Sequence, residues 1–478
     1  MTKPIALAAA IFALAAAFAP RPAAAQAAAP LAPEVRAVAE TLIDKALAGE
    51  EVGLAFTEDL TTEIGPRLAG SDAEARARDW AVAELTALGF SEVAVEDFAI
   101  PFWSRIIDEA EVTAPAPQPL VITALGGSAA TPNGGVTAEL VRFERLGELE
   151  AASVAEVSGR IVFLDEPMTR TMDGSGYGPA VAKRRACAAL TAERGGAACL
   201  IRSVGTQARR FPHTGMMARG QALGAGPAAA LSPPDADQLA RLMARGPVRV
   251  RLNIQVETRT GAPSGNVIAE IPGTDLADEI VLIGCHLDSW DLATGALDDG
   301  AGCGIVVGAA KLIMDHAPPP RRTIRVVLYG AEEVGLLGAD AYARRHVGEL
   351  DNHVFASESD FGADRIWRLE TRFGEGALGY ARALQDVLAP LGVLRGNNEA
   401  FGGPDIGILR RAGVPVVTPR QNGQDYFDYH HTPDDTFDKI VPDAFRQNVA
   451  AYAAMTYVVA RTGWDLRTPA PEQGLGTQ

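Results

Sequence analysis

Histidine and acidic residues occur together in five short motifs in the second half of the chain. The motifs are GCHLDSW at 284–290, ALDDGAG at 296–302, YGAEEVG at 329–335, ESDFG at 358–362 and YHHTPDDT at 429–436. Imidazole and carboxylate groups bind zinc and other divalent first-row ions, and a carboxylate beside such a centre can transfer protons. Each motif alone is typical of a surface loop or a helix cap, so its meaning depends on whether the fold brings all five together.

Apolar, β-branched runs precede most of these motifs, and segments with helical spacing separate the runs. The predicted strands cover 280–283, 323–329, 353–356 and 414–417, and the predicted helices cover 304–314, 338–346, 374–388 and 442–461. This alternation predicts an α/β fold with a mostly parallel central sheet flanked by helices. Because sites in such sheets form beyond the carboxyl ends of the strands, we expect the five motifs to meet at one edge.

The remaining regions differ in composition. Residues 1–25 have a basic start, an apolar run and an Ala-Ala-Ala cleavage site, which predicts a secretory signal peptide and a periplasmic or secreted protein. Residues 26–112 are helical and then strand-like, with a strand predicted over 91–100 from its alternating pattern, and we group them with 257–464 in one domain. Residues 113–256, called the inserted segment below, have short apolar runs broken by glycine and proline and predict a small α/β or β-rich module. Residues 465–478 predict a polar tail.

Composition limits the classes of partner. The 478-residue chain is 47% hydrophobic and has a formal net charge of −17, which argues against nucleic acid because phosphates require a cationic surface. No apolar run after the signal segment is long enough for a membrane span, so the mature form is predicted to have none.

The four cysteines form no C-x-x-C pair, which argues against a cysteine zinc site. We expect them to be small buried residues, and a Cys187–Cys199 disulfide bridge is left open.

The side chains of the five motifs suit two metal ions. The expected ligands are His286, Asp298 and Asp360, with one member of the pair Glu332 and Glu333 and one of the pair His430 and His431. Five ligands exceed the needs of one tetrahedral zinc, whereas two ions about 3.5–4 Å apart that share a carboxylate use all of them. Asp288, two residues after His286, is placed to orient its ring. Four other histidines are expected to be structural or surface residues: His213, His316, His346 and His353.

The order of the five motifs resembles the di-zinc exopeptidase family of the bacterial leucyl aminopeptidases and glutamate carboxypeptidases, and within it the carboxypeptidase Q branch. Flanking stretches extend the resemblance over nearly the whole mature chain: GPRL at 65–68, PFW at 101–103, LIRSV at 200–204, PHTG at 212–215 and RAGVP at 411–415. The resemblance implies a zinc exopeptidase fold with a protease-associated domain in the inserted segment, and it allows a homodimer.

Carried over by position, the resemblance implies a metal ligand in each motif. His286 and Asp360 would bind one Zn²⁺, Glu333 and His431 would bind the other, and Asp298 would bridge the two. His431 is chosen because the family's ligand directly precedes a serine or threonine, as it does here.

The resemblance also implies the catalytic roles. Glu332 would act as general base and then as the acid that protonates the leaving amine, and Asp288 would steady His286. His430 is a candidate donor to the oxyanion, and Tyr429 is a weaker one.

The expected activity is hydrolysis of dipeptides or short peptides with a free terminus, by a hydroxide held between two zinc ions. Two alternatives on the same fold stay open: a glutaminyl cyclase-like enzyme that closes a ring, and a metal-free, receptor-like binding protein. Glu332 and Asp360 would suit a free amine. Arg420 is a candidate for binding a free carboxylate, although a surface ion pair is the simpler expectation, and the 402–406 loop is expected to line the cleft.

Overall fold

The computed structural model describes residues 29–49, 51–217 and 225–467, so the signal segment and residues 468–478 of the tail lie outside the described residues. The helices are α1 (Pro33–Leu47), α2 (Val52–Asp59), α3 (Asp72–Ala87), α4 (Leu146–Ala151), α5 (Val154–Val157), α6 (Tyr177–Glu193), α7 (Pro233–Met243), α8 (Ala301–His316), α9 (Leu337–Arg345), α10 (Leu378–Leu388), α11 (Gly407–Arg411), α12 (Tyr426–Tyr429) and α13 (Pro442–Arg461). The strands are β1 (Ser91–Ala114), β2 (Gln118–Leu120), β3 (Ile122–Ala124), β4 (Val136–Phe143), β5 (Ile161–Leu164), β6 (Ala198–Arg202), β7 (Ala228–Leu231), β8 (Arg249–Ile271), β9 (Leu276–His286), β10 (Arg322–Tyr329), β11 (His353–Glu358), β12 (Ile366–Arg372), β13 (Leu394–Arg395) and β14 (Val416–Gln421).

These strands form one sheet in the order β13-β12-β14-β11-β9-β10-β8-β4-β5-β6-β7-β3, with β1 and β2 paired outside this path. β9 is parallel to β10 and to β11, and β11 is parallel to β14. β8 and β12 run antiparallel to their neighbours β10 and β14. The predicted α/β fold with a mostly parallel central sheet flanked by helices is confirmed, and the last helix has the predicted bounds, 442–461.

A long antiparallel ribbon joins the two halves of the sheet. β1 and β8 pair from Ser91 opposite Glu270 to Ala114 opposite Arg249, with several register shifts along the way. The sequence predicted a strand only over 91–100, because each β-bulge interrupts the alternation of side chains on which that reading depends. Beyond the ribbon, β4, β5, β6 and β7 run parallel to one another within the inserted segment. The bounds of the inserted segment, 113 and 256, stay a prediction, because β1 continues through residue 113 and β8 continues through residue 256.

Helix α8 is held close to the sheet and to helix α2. Its glycines allow this approach, because a Cβ at Gly304 would lie 2.3 Å from the carbonyl oxygen of Gly53 in α2. The carboxylate of Asp299 accepts the N–H groups of His286 and Gly302, both at 3.1 Å, and so joins the end of β9 to the start of α8. The loop that carries Asp298 is therefore fixed at both of its ends.

All four cysteines are buried, as expected, and they are disulfide-bonded. The bridges are Cys187–Cys199, which the sequence had left open, and Cys285–Cys303, which it had not suggested. The second bridge links β9 to α8 beside His286.

The start of the predicted polar tail packs against the domain, since Leu466 is buried and accepts the N–H of Gly374 at 2.8 Å. Over 29–49, 51–217 and 225–467, no helix has both the length and the apolar composition needed to cross a bilayer.

Candidate metal centre

The five motifs meet at the carboxyl edge of the parallel strands, as the sequence predicted. His286 is the last residue of β9, Glu333 follows β10, and Asp360 follows β11. Asp298 lies in the loop before α8, and His431 follows the short helix α12. The sheet therefore gathers residues that are far apart in the sequence.

The carboxylate of Asp298 lies between two imidazole rings. Its Oδ1 is 3.1 Å from Nε2 of His286, and its Oδ2 is 3.1 Å from Nε2 of His431. Each ring faces a second carboxylate, with Asp360 Oδ1 at 3.6 Å from His286 Nε2 and Glu333 Oε2 at 3.0 Å from His431 Nε2. The arrangement is two ligand groups that share Asp298.

This donor set fits a pair of divalent cations. Within the described part of the chain, only histidines pair with Asp298, Glu333 and Asp360, and no lysine or arginine does. No described residue hydrogen-bonds to Asp298 Oδ2 or Glu333 Oε1, although both atoms are buried. Buried carboxylates without neutralising partners are costly, and two metal ions would supply both the charge and the missing ligand contacts.

The orientation of His286 comes from the main chain of Asp288. The Nδ1–H of His286 donates to the carbonyl oxygen of Asp288 at 2.9 Å, which leaves Nε2 facing the other ligands. The Asp288 carboxylate is 3.9 Å from the same nitrogen. It instead accepts the main-chain N–H groups of Glu332 and Glu333, at 2.9 Å and 3.3 Å. Asp288 thus acts on both His286 and the Glu332–Glu333 turn.

Glu332 lies beside the ligand groups and lines the adjoining cavity. Burial raises the pKa of Glu332 well above its usual value, and the carboxylates of Asp360 and Glu333 raise it further. A carboxylate whose pKa is raised is a stronger base than a free carboxylate and holds an accepted proton more readily.

His430 stacks on His431, with ring centroids 3.5 Å apart, and its Nε2 is 3.5 Å from Asp298 Oδ2. Among the carboxylates of the described residues His430 approaches only Asp298, whereas His431 reaches Asp298 and Glu333, so the geometry favours His431 as the ligand. Burial and the neighbouring His431 lower the pKa of His430 well below its usual value, so its ring is neutral. Tyr429 lines a separate cavity of about 190 Å³ and contacts Arg209 instead.

Two supporting residues carried no predicted role. Arg67 is fully buried and donates to the carbonyl oxygens of Leu287 and Gly295, at 2.5 Å and 2.9 Å. Asp435 accepts the N–H groups of Leu297 and Asp298, at 2.6 Å and 3.2 Å. Both residues hold main-chain segments beside the ligands. Arg67 belongs to the GPRL motif and Asp435 to the YHHTPDDT motif. Membership in these motifs was the only sequence signal that could have pointed to a supporting role.

A cavity of about 400 Å³ opens beside the ligands. One wall contains Asp298, Glu332, Glu333, Asp360, His430 and His431. The inserted segment contributes further lining residues, namely Tyr177, Arg184, Arg185, Met216 and Met217. Phe361, Tyr426 and Phe427 add an aromatic surface, and Pro404 brings the 402–406 loop to the cleft as expected. Such a cavity has the volume of a small-ligand site.

Arg420, in contrast, lies outside this cavity lining. Its Nε donates to Glu370 Oε2 at 2.8 Å between β14 and β12, which is the ion pair that the sequence offered as the simpler expectation.

Comparisons with known proteins identify the family of the chain and its fold. The family model described as Peptidase family M28 matches residues 266–456. Carboxypeptidase Q of Mus musculus is 33% identical over 433 residues, which cover 88% of this chain and 89% of the relative. A crystal structure of a peptidase M28 precursor from Shewanella amazonensis SB2B is 48% identical, with a TM-score of 0.89, and covers 92% of this chain and 99% of its own. BSAP, a zinc aminopeptidase from Bacillus subtilis, is 20% identical and shares the fold, with a TM-score of 0.63 over 86% of this chain and 95% of its own.

Proposed function

The chain belongs to peptidase family M28, and from this premise we propose that it is a two-zinc exopeptidase that hydrolyses dipeptides or short peptides with a free terminus. The observation that carries the proposal is the position of Asp298 between His286 and His431, each of which faces a further carboxylate. In this proposal His286 and Asp360 would hold one ion, Glu333 and His431 would hold the other, and Asp298 would be shared by the two groups.

Two zinc ions bound at this site would acidify a water molecule and polarise the scissile carbonyl group. Glu332 is the proposed general base, because it lines the cavity beside the ligands without being one of them. It accepts the proton of the attacking water and then delivers it to the nitrogen of the leaving amine. The raised pKa of Glu332 suits both transfers, since it narrows the difference between the pKa of this carboxyl group and the pKa values of the attacking water and the leaving amine.

His430 is the proposed donor to the oxyanion that forms as the carbonyl carbon becomes tetrahedral. Its neutral ring carries one N–H, and no described residue hydrogen-bonds to its Nδ1. It lines the same cavity as Glu332. A donor prepositioned where charge develops stabilises the transition state more than the ground state.

The cavity lining carries charges of both signs, which favours a small substrate with free ends. Glu332 and Asp360 are available to a free amine, and Arg184 and Arg185 of the inserted segment also line the space. Arg185 is exposed and has no ion-pair partner among the described residues. We therefore assign the recognition of a free carboxylate to Arg185 in place of Arg420.

Export to the periplasm or the cell exterior is part of the proposal. Two disulfide bridges support it, because such bridges form and persist in oxidising compartments.

The deciding experiment compares zinc-loaded and chelated protein on dipeptides whose ends are free, acetylated or amidated. Zinc-dependent cleavage, fastest when the required end is free, is the expected result. Peptides that begin with glutamine separate hydrolysis from ring closure by mass, as a gain of water or a loss of ammonia. Protein that binds no zinc, or zinc-loaded protein that cleaves none of the peptides, would refute the proposed function.

A further inference from the structure

One loop of the inserted segment lies directly against the segment that carries His430 and His431. The N–H of Thr206 donates to the carbonyl oxygen of Phe427 at 3.0 Å, and its hydroxyl donates to Asp428 at 2.7 Å. Arg209 forms an ion pair with Asp434. These contacts dock residues 203–217, called the docking loop below, onto residues 426–434.

The docking loop forms a reciprocal pair of hydrogen bonds with His431. The N–H of Thr214 donates to the carbonyl oxygen of His431 at 3.0 Å, and the Nδ1–H of His431 donates to the carbonyl oxygen of Thr214 at 3.1 Å. Because Nδ1 carries the donated hydrogen, Nε2 is the atom left to face Asp298 and Glu333. Thr214 therefore sets both the position and the tautomer of this ring.

The carbonyl group of Thr214 is itself held by Arg184 of α6. Nη1 of Arg184 donates to Thr214 at 3.2 Å, Nε donates to the carbonyl oxygen of Met216 at 3.1 Å, and Nη2 donates to the hydroxyl of Tyr177 at 2.9 Å. Arg184 is buried, and no described carboxylate pairs with it. The guanidinium thus spans the two carbonyl groups on either side of Gly215.

Gly215 leaves no spare room between these groups. Its φ is +133°, and a Cβ there would lie 2.1 Å from Nη1 of Arg184 and 2.8 Å from Nδ1 of His431. A larger residue would have to displace the guanidinium or the imidazole.

The two metal ligand groups therefore differ in how their histidines are held. His286 is oriented by Asp288, two residues away on the same loop, whereas His431 is oriented from the inserted segment, 217 residues away. Loosening the docking loop should therefore weaken metal binding by the group that contains His431 and leave metal binding by the group that contains His286 unchanged.

We propose that the inserted segment completes the Glu333–His431 metal site, with Arg184 acting through the carbonyl group of Thr214 as a positioning residue for His431. The inference rests on the proposed function for the identity of the ion. By thermodynamic reciprocity, an ion held by His431 stabilises the docking of the loop by the same factor by which docking strengthens its binding.

The test is zinc titration of metal-free, full-length protein, with Co²⁺ absorption as a second probe of ligand geometry. Arg184→Met and Gly215→Ala should keep one tight ion and weaken the second by about 10–100-fold, the usual effect of losing a residue that orients a ligand. Gly178→Ala and Arg245→Met are matched controls, because both residues are exposed on the inserted segment and a Cβ at Gly178 would have nothing within 4 Å. The controls should bind both ions as the unaltered protein does.

Hydrogen exchange supplies an independent readout of the docking loop. Adding zinc to the metal-free protein should slow amide exchange across 203–217, and this protection should shrink in Arg184→Met. Binding of both ions with unaltered affinity in Arg184→Met and Gly215→Ala would overturn the inference, as would equal weakening of both ions. Unaltered protein that binds two ions but cleaves no peptide would refute the proposed function while leaving this inference standing.

Discussion

Oδ1 of Asp288 accepts a 2.9 Å hydrogen bond from the main-chain N–H of Glu332. Its other carboxylate oxygen accepts the N–H of Glu333, so one buried side chain fixes the backbone of the proposed base and of a proposed ligand. The carbonyl group of the same residue orients His286. One aspartate therefore links both halves of the metal centre to the proton-transfer group.

Asp288→Asn should separate these roles. The side-chain amide oxygen can accept the main-chain N–H of Glu332 or of Glu333, but the NH₂ group then faces the second N–H and cannot accept it. The Glu332–Glu333 turn must therefore shift, whereas the contact of the main-chain carbonyl group with His286 persists. We expect turnover to fall by about 10–100-fold, with weaker binding of one zinc ion. Steady-state kinetics and zinc titration measure both effects. Normal turnover with two tightly bound ions would contradict the proposed role.

Glu332→Gln should retain both zinc ions and lose turnover by about 10²–10⁴-fold, because the amide cannot accept the proton of the attacking water. Metal analysis and kcat on the same preparation check this prediction. Glu58→Gln, at an exposed helical position, is the control for loss of a carboxylate and should match the unaltered protein. A Glu332→Gln enzyme with near-normal kcat would remove Glu332 from the mechanism.

Arg185→Ala should raise KM for dipeptides with a free carboxylate by about tenfold or more, the usual size of a lost charged hydrogen bond. The same change should leave KM for C-terminal amides almost unaltered, since those substrates carry no anion. Arg245→Ala, another exposed arginine of the inserted segment, is the control. Equal changes in KM for the free acids and for the amides would mean that Arg185 does not bind the substrate carboxylate.

The ligand residues could be predicted from the sequence because their chemistry is visible in their side chains. Strand patterns placed the five motifs at one sheet edge, and the structure brings together His286, Asp298, Glu333, Asp360 and His431. The choice of His431 over His430 came from the resemblance alone, since the two residues are adjacent and chemically identical.

The parts that escaped prediction act through the main chain. Thr214 orients His431 with its carbonyl group, which every residue type possesses, so nothing at position 214 indicates the contact. Arg67 and Asp435 bind main-chain groups as well, and a lone arginine or aspartate fits many roles. The β1–β8 ribbon was missed beyond residue 100 because its bulges interrupt the alternating pattern.

His213, expected to be structural or at the surface, makes stability depend on pH. Burial lowers the pKa of His213 to about 3, and its Nδ1–H donates to the carbonyl oxygen of His430 at 2.7 Å. As pH falls below the unfolded pKa of about 6.5, the unfolded chain binds a proton that the folded chain does not, so stability is lost down to the folded value. This loss amounts to about 2 kcal/mol near pH 5.

His213→Asn isolates this contribution, because the amide can still donate to the carbonyl group of His430 but does not titrate between pH 7 and 4. Denaturant unfolding measured across that range should fall less steeply for the variant, and the two curves should differ by about 2 kcal/mol more near pH 5 than near pH 7. His316→Asn is the control, since it removes a histidine that carries no proposed role. Parallel curves for His213→Asn and the unaltered protein would show that the fold does not keep His213 neutral.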